Sequence, residues 1–168
     1  MALVIEDGSL VTGATSYVTV AEARAYATAR GVTLSAVDSE VEQLAVKAID
    51  YLEAQRARYQ GSKVDADQDL QWPRVNVVID GNEYLETSIP KVLKSAQCQL
   101  MIEAANGVDL MPTRTGGFIK KEKVDVIETE YSEKIGTGVQ PDMTAVEALL
   151  APLFNASGQG FALTTLRV

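Results

Sequence analysis

One amphipathic segment constrains the fold more than any other feature: residues 39–59, with the sequence SEVEQLAVKAIDYLEAQRARY. Its apolar residues recur at helical spacing and form one stripe, made of Val41, Leu44, Ala45, Ala48, Ile49 and Leu52. Ser39 and Glu42 have the spacing of a capping box, and Gly61 follows where the helix should end. Because a stripe of this length must be buried, the sequence predicts a helical core built around this helix.

Two further helices are predicted in the first two thirds of the chain. Residues 19–31 form the first, with Thr19 and Glu22 as a capping box and Gly31 at its end. A second starts at Ser88 as N-cap, has Pro90 in its first turn and ends at Gly107. Its predicted inward positions are Val92, Leu93, Ala96, Leu100 and Ala104. These helices define a predicted helical core of about residues 16–107.

The remainder of the chain has a different pattern. Residues 118–131 alternate in part, with Val124 and Val126 on one side and Asp125 on the other, which predicts a strand or a protruding hairpin arm over about 115–135. Residues 144–154 predict a short amphipathic helix, and residues 158–168 an extended tail after a glycine-rich turn. The predicted fold is therefore mainly α: one domain, residues 1–168, that combines a small helical bundle with an extended β arm or hairpin and an extended C-terminal tail. A chain of 168 residues is long enough to bury such a core without disulfides or metals.

Composition argues against several classes of catalytic site. The chain has no histidine, which removes Ser-His-Asp and Cys-His activation and every zinc site that needs an imidazole. Its one cysteine, Cys98, has no histidine to activate it and is interpreted as a small packed thiol. We therefore expect no enzyme, no catalytic residue, no cofactor and no metal. The N-terminus lacks the basic region of a signal peptide, and no apolar run approaches the ~20 residues of a membrane span.

The charge distribution disfavours nucleic-acid binding. The net charge is −8, and residues 1–87 hold 7 basic and 14 acidic residues. Nucleic-acid-binding domains normally display a basic patch. Lys120, Lys121 and Lys123 cluster, but Glu122 interrupts them. No basic groove is visible in the sequence.

The connection after the long helix contains three alternating aspartates, Asp65, Asp67 and Asp69. They match the start of an EF-hand loop, but Leu70 stands at the position of the turn glycine and Asn76 at that of the bidentate glutamate. A solvated acidic loop is the favoured interpretation, and a weak cation site stays open. Farther along, Asp80-Gly81 predicts the turn of a small hairpin.

The lone tryptophan lies in the stretch QWPR, residues 71–74. Trp72 could stack on a nucleobase, since an indole face stacks on any base. The favoured interpretation is a structural clasp: Trp72 packs on the first two helices, Pro73 restricts the backbone and Arg74 reaches an acid in its own chain or a neighbour.

Several segments together resemble a known family. LVIEDGSLVTGATSYVTVAEARAY, QDLQWPRVNV and SIPKVLKSAQCQLMIEAA are similar to segments of small proteins encoded in tailed-phage and prophage structural modules, and EALLAPLF before a glycine-rich turn resembles their C-terminal end. The family is that of head–tail connector proteins (adaptor or head-completion proteins), whose members are often labelled DnaT-like single-stranded-DNA-binding proteins. The order Q-x-L-x-W-P-R is its most specific part, and residues 107–140 are the least distinctive.

The resemblance implies a structural virion protein, an adaptor that forms a ring under the portal and continues the DNA channel to the tail. The implied partners are other copies of the chain, twelve in a ring, the portal protein, and a downstream tail, tail-terminator or gatekeeper protein. Genomic double-stranded DNA would pass through the lumen without sequence-specific binding, and no membrane is involved. The implied location is the head–tail junction of the virion, after assembly in the bacterial host cytoplasm. The alternative is a single-stranded-DNA-binding protein of phage or prophage origin.

The expected structural or interface residues fall into three groups. The clasp supplies Trp72, Pro73 and Arg74. The arm and the tail are expected to pair with neighbours or the portal by strand addition. Their candidate residues are Phe118, Val124, Val126 and Tyr131 in the arm, and Phe161, Leu163 and Leu166 in the tail.

Overall fold

The computed structural model describes residues 2–112 and 143–155, together with the backbone of 122–124 and 127–129. Its helices are α1 (Val20–Thr28), α2 (Asp38–Ala54), α3 (Lys91–Ala105) and α4 (Thr144–Leu150). Short 3-10 turns, Gln55–Ala57 and Ala151–Leu153, continue α2 and α4. The described part is thus a mainly helical small domain, as predicted. None of the described helices has both the length and the apolar character needed to cross a membrane.

Six short strands form three separate antiparallel pairs in the described chain. β1 (Ser62–Lys63) pairs with β2 (Arg74–Val75), β3 (Val78–Ile79) with β4 (Asn82–Glu83), and β5 (Glu122–Val124) with β6 (Ile127–Thr129). The turn between β3 and β4 has positive φ at both Asp80 (52°) and Gly81 (80°), which is the conformation of the predicted two-residue hairpin. The β5–β6 pair confirms a short hairpin within the predicted arm.

The core lies where α2 and α3 pack along each other, with α1 and α4 against α3. The predicted stripe of α2 forms much of it: Val41, Ala45 and Ala48 are completely buried. Leu93 and Leu100 of α3 face it, as their spacing predicted. The helical pattern read from the sequence is therefore confirmed for both long helices.

Helix α1 begins with the predicted capping box. The Thr19 hydroxyl accepts the Glu22 N–H at 3.1 Å, and the Glu22 carboxylate accepts the Thr19 N–H at 2.7 Å. The backbone hydrogen bond from Thr19 is the main reason that the pKa of Glu22 lies below its usual value. This pair sets the start of α1 from local sequence alone.

The predicted starts of α2 and α3 are wrong. Helix α2 begins at Asp38 with Val37 as N-cap, so Ser39 lies inside the first turn, and the hydroxyl that accepts the Val37 N–H is that of Ser35. Helix α3 begins after Pro90, which is itself the N-cap, and the Ser88 hydroxyl donates to Leu85 O instead. Val37 and Pro90 thus occupy the N-cap positions instead of the two serines, and neither helix has a side-chain capping hydrogen bond.

Helix α4 packs on the core formed by the first three helices. The Arg58 guanidinium donates to both carboxylate oxygens of Glu147, at 2.9 and 2.6 Å, and lies 4.0 Å from the centre of the Phe154 ring. The backbone N–H of Gln60 donates to Leu153 O at 2.9 Å. These contacts attach α4 and its 3-10 turn to the end of α2.

Most of the predicted interface residues cannot be placed. Phe118, Val126, Tyr131, Phe161, Leu163 and Leu166 lie outside the described residues, and for Val124 only the backbone, in β5, is described.

Candidate functional site

The QWPR stretch forms the centre of a buried cluster. Trp72 is 1% exposed and meets the Tyr59 ring edge to face, with ring centres 5.7 Å apart. Its backbone N–H donates to the Tyr17 hydroxyl at 3.1 Å, and its peptide bond to Pro73 is cis. Because the indole is enclosed, it offers no face to a nucleobase. Trp72 is therefore buried, as predicted, and packs against residues that flank α1 and α2.

Arg74 is also buried, and the acceptors of its hydrogen bonds within the described chain are carbonyl and amide oxygens. Its contact with an acid, in its own chain or in a neighbour, stays a prediction. Its Nε donates to Gln60 O at 2.7 Å and its Nη2 to Gly61 O at 2.8 Å, while Nη1 donates to the Gln71 side chain at 3.1 Å. Burial lowers the pKa of the guanidinium from its ordinary value. The guanidinium thus holds the carbonyl groups of Gln60 and Gly61, the two residues just before β1.

Gly61 is part of the same turn and tolerates no side chain. Its φ is +63°, and a Cβ there would lie 1.9 Å from Val75 O. The close contact between Gly61 and Val75 lies next to the pairing of β1 with β2. Arg74, in β2, also donates a hydrogen bond to the Gly61 carbonyl.

Glu53 supports the cluster from α2. Its Oε1 accepts the Gln71 N–H at 2.9 Å and the Tyr17 hydroxyl at 3.3 Å. Burial raises the pKa of Glu53, and it raises that of Tyr17 far above its usual value. Sequence analysis missed Glu53, although its place four residues after the buried Ile49 was the available signal.

A second buried network ties the N-terminal segment to α3. The Gln97 side chain, fully buried, accepts the Tyr17 N–H at 3.0 Å and donates to the Ser16 hydroxyl at 2.8 Å. Upstream, the Glu6 carboxylate accepts the N–H groups of Gly8, Leu10 and Val11 at 2.8–3.1 Å. Both networks lie in the segment before α1, which has little helix or strand. Side-chain oxygens there accept the backbone N–H groups that a helix or sheet would otherwise pair.

The three aspartates act as loop residues. Asp65 accepts the Asp67 N–H at 2.8 Å, and Asp69 accepts the Gly13 N–H at 2.7 Å. Across residues 2–112 and 143–155, no group of three acidic or sulfur side chains is arranged to hold a metal ion. The solvated-loop interpretation fits this geometry.

Cys98 lies in the core, 4% exposed. Burial raises the pKa of its thiol to about 11. The thiol therefore stays protonated near neutral pH, which agrees with the packed-thiol interpretation.

The described surface is acidic and poor in exposed rings. Residues 2–112 and 143–155 contain 9 basic and 17 acidic residues, so the whole net charge of −8 lies in them. Every aromatic side chain in this part is buried or half-buried. A site that stacks bases between cations has no counterpart there.

Comparison with known proteins gives one match. The model of a family described as "Putative DnaT-like ssDNA binding protein" matches residues 1–168. Neither the curated proteins nor the solved structures yielded a match.

Proposed function

The chain belongs to this DnaT-like family, and we propose that it works as a head–tail connector adaptor, a structural subunit that forms a ring beneath the portal. The observation that carries the proposal is the construction of the core around an insertion. Helix α4 packs on α3, and Glu147 ties it to Arg58 in the segment that follows α2, so residues 113–142 are inserted in the sequence between two elements of one helical core. A subunit of this kind can assemble through the insertion while its core stays folded.

The hairpin within the insertion suits contact between subunits. β5 and β6 pair with each other and with no other described strand, so each retains one edge that is free of the described strands. A free strand edge is a template for pairing with another chain. The arm thus supplies a surface for a neighbouring subunit or for the portal.

The charge of the core also supports a channel subunit. A wall with excess negative charge repels phosphate and lets DNA pass without adhering. Exposed acids such as Glu40, Glu83 and Glu86 are suitable for charge reversal. Their combined replacement by lysine should impair genome ejection while leaving the melting temperature of the subunit unchanged; unimpaired ejection would contradict a role for these acids in the lumen.

Imaging with the portal is the direct test. The chain is mixed with the portal protein encoded in the same structural module, and the mixture is examined by cryo-electron microscopy. A symmetric ring on the tail-facing end of the portal, with residues 118–131 or 158–168 crossing between subunits, is the expected result. A well-folded portal that binds no ring would overturn the proposal.

A second candidate, single-stranded-DNA binding, is favoured by the family description. It requires basic and aromatic surface beyond the described core, where Lys120, Lys121 and Lys123 lie. The test is fluorescence anisotropy of a labelled oligonucleotide at two salt concentrations. Tight binding that weakens about 10³-fold or more between 50 and 200 mM salt would favour this candidate, because on a single strand that loss corresponds to about seven or more phosphate contacts. Absence of binding at low salt would remove it.

A further inference from the structure

The outer face of α2 carries two open concavities that meet at Lys47. The first, of about 360 Å³, lies between α2 and the N-terminal segment and includes Leu3 and Val46 in its lining. The second, of about 390 Å³, lies between α2 and the end of α3 and includes Asp50 and Met111. Val46 and Met111 are 38% and 39% exposed. Both concavities have Lys47 in their lining, and the surface that comprises the two, along residues 39–50 of the helix, is here named the α2 groove.

We propose that the α2 groove binds the C-terminal tail, residues 158–168, of a second copy of this chain. The inference rests on the proposed ring assembly and identifies one of its contacts. The sequence suggested only that the tail pairs with a neighbouring subunit. The inference names the surface of that neighbour, the α2 groove, to which the tail binds.

The place where the tail leaves the core supports this assignment. The backbone N–H of Asn155 donates to Arg58 O at 2.7 Å, and its side chain donates to Tyr59 O at 3.0 Å. The tail therefore starts just beyond the C-terminal end of α2, whereas the groove covers the part of α2 before Asp50. Residues 156–168, if extended, reach about 43 Å, and the groove is about 17 Å long, at roughly 3.3 Å per extended residue and 1.5 Å per helical residue.

Ring symmetry explains why the contact should be made between copies. A ring of more than two identical subunits needs a head-to-tail contact, in which two different surfaces of the subunit meet. The tail that starts beyond Arg58 and the groove on the first part of α2 are two such surfaces. Repetition of one tail-in-groove contact around an axis closes the ring.

The chemistry of the two partners is complementary. The tail, GQGFALTTLRV, contains no acid, one cation at Arg167, and four large apolar residues, Phe161, Leu163, Leu166 and Val168. The groove offers the apolar side chains of Leu3, Val46 and Met111. Its charged lining residues are Lys47, Glu42, Asp50 and Asp109, so acids outnumber cations there. Burial of the apolar residues supplies the affinity, and the single positive charge of the tail is compatible with the acidic core.

Disulfide cross-linking between two full-length variants tests the contact. One chain carries Val46→Cys and the other Leu163→Cys, each with a different tag, and they are oxidised together in the presence of the portal. Cys98 remains in place because it is buried. The control replaces V46C by Val78→Cys, a valine that is 50% exposed outside the groove. We expect the V46C–L163C heterodimer to form at least about tenfold faster than the V78C–L163C heterodimer, since binding holds the two thiols at high effective concentration.

Two results would overturn the inference. The first is that L163C cross-links to V46C no faster than to the V78C control. A Met111→Cys variant, in the second concavity, would also have to cross-link to L163C no faster than the control. The second is closure of a doubly substituted V46C/L163C chain within the monomer at high dilution, without cross-links between chains, which would assign the tail to its own groove. If a ring is imaged on the portal while cross-linking fails, the connector proposal stands and only the groove contact is lost; if neither forms, both are lost.

Discussion

Replacement of Trp72 by alanine should remove a large share of the stability of the core. The side chain is 1% exposed, and it packs edge to face on Tyr59. Deletion of a buried large aromatic side chain costs about 3–5 kcal/mol, which includes the cavity that remains. A domain of this kind has a total free energy of unfolding of about 5–15 kcal/mol, so the variant should be marginal or unfolded at 37 °C.

The conservative variant Trp72→Phe separates the volume of the ring from its polar atom. The indole Nε1 has no hydrogen-bond partner among the described residues, so phenylalanine loses packing volume without leaving any of their acceptors unpaired. The loss for Trp72→Phe should therefore be clearly smaller than for Trp72→Ala. The pair thus measures how much of the effect comes from filling the space beside Tyr59.

Urea unfolding followed by circular dichroism at 222 nm is the appropriate assay, since these variants lack the only tryptophan. The midpoint should fall while the slope with denaturant stays constant, because the variants unfold to the same exposed chain. A loss below about 1 kcal/mol for Trp72→Ala would refute the reasoning, as it lies under the range for a buried aromatic. Normal stability with failed assembly would instead make Trp72 an interface residue.

Three further perturbations test the buried polar groups. Cys98 should not react with Ellman's reagent at pH 8 in the native protein and should react fully in denaturant, because burial raises its pKa to about 11; rapid native reaction would show that the thiol is exposed. The pKa of Glu53 is raised, so its contribution to stability is fully present below about pH 4.5 and is lost as pH rises through the raised value. The variant Glu53→Gln keeps an acceptor for the Gln71 N–H but does not titrate. Its urea midpoint should therefore fall less between pH 4.5 and 7 than that of the wild type. Glu6→Ala leaves three backbone N–H groups without their acceptor and should destabilise the protein by about 2 kcal/mol or more, whereas the exposed neighbour Asp7→Ala should cost far less; equal midpoints for the two would contradict the role of Glu6.

The helices could be predicted because their signals are local. Apolar residues spaced three and four apart place the buried face of α2, and the Thr19–Glu22 pair marks the start of α1 within four residues. The Asp80-Gly81 turn is equally local, since the conformation depends on those two residues. The starts of α2 and α3 were misplaced because each was assigned to a nearby serine, Ser39 or Ser88. In the structure, the N-cap residues are Val37 and Pro90.

The clasp could be recognised from sequence only in part. A lone tryptophan before a proline indicated a buried anchor, and the structure confirms it. For Arg74, the sequence predicted contact with an acid in its own chain or in a neighbour, but not its burial. Within the described chain, its guanidinium donates to the carbonyl oxygens of Gln60, Gly61 and Gln71 and to the side-chain oxygen of Gln71, which residues far from Arg74 in the sequence bring to that point in part.

Sequence by itself determined which segments are helical, which face of each is apolar, the tight turn of β3–β4, and the exclusion of histidine-dependent chemistry. Tertiary structure alone decided how the buried polar groups are satisfied. Glu53 meets Gln71 across 18 residues, Gln97 meets Tyr17 across 80, and Arg58 meets Glu147 across 89. Such pairings have no periodic signal, because they depend on where the packed helices bring distant segments together.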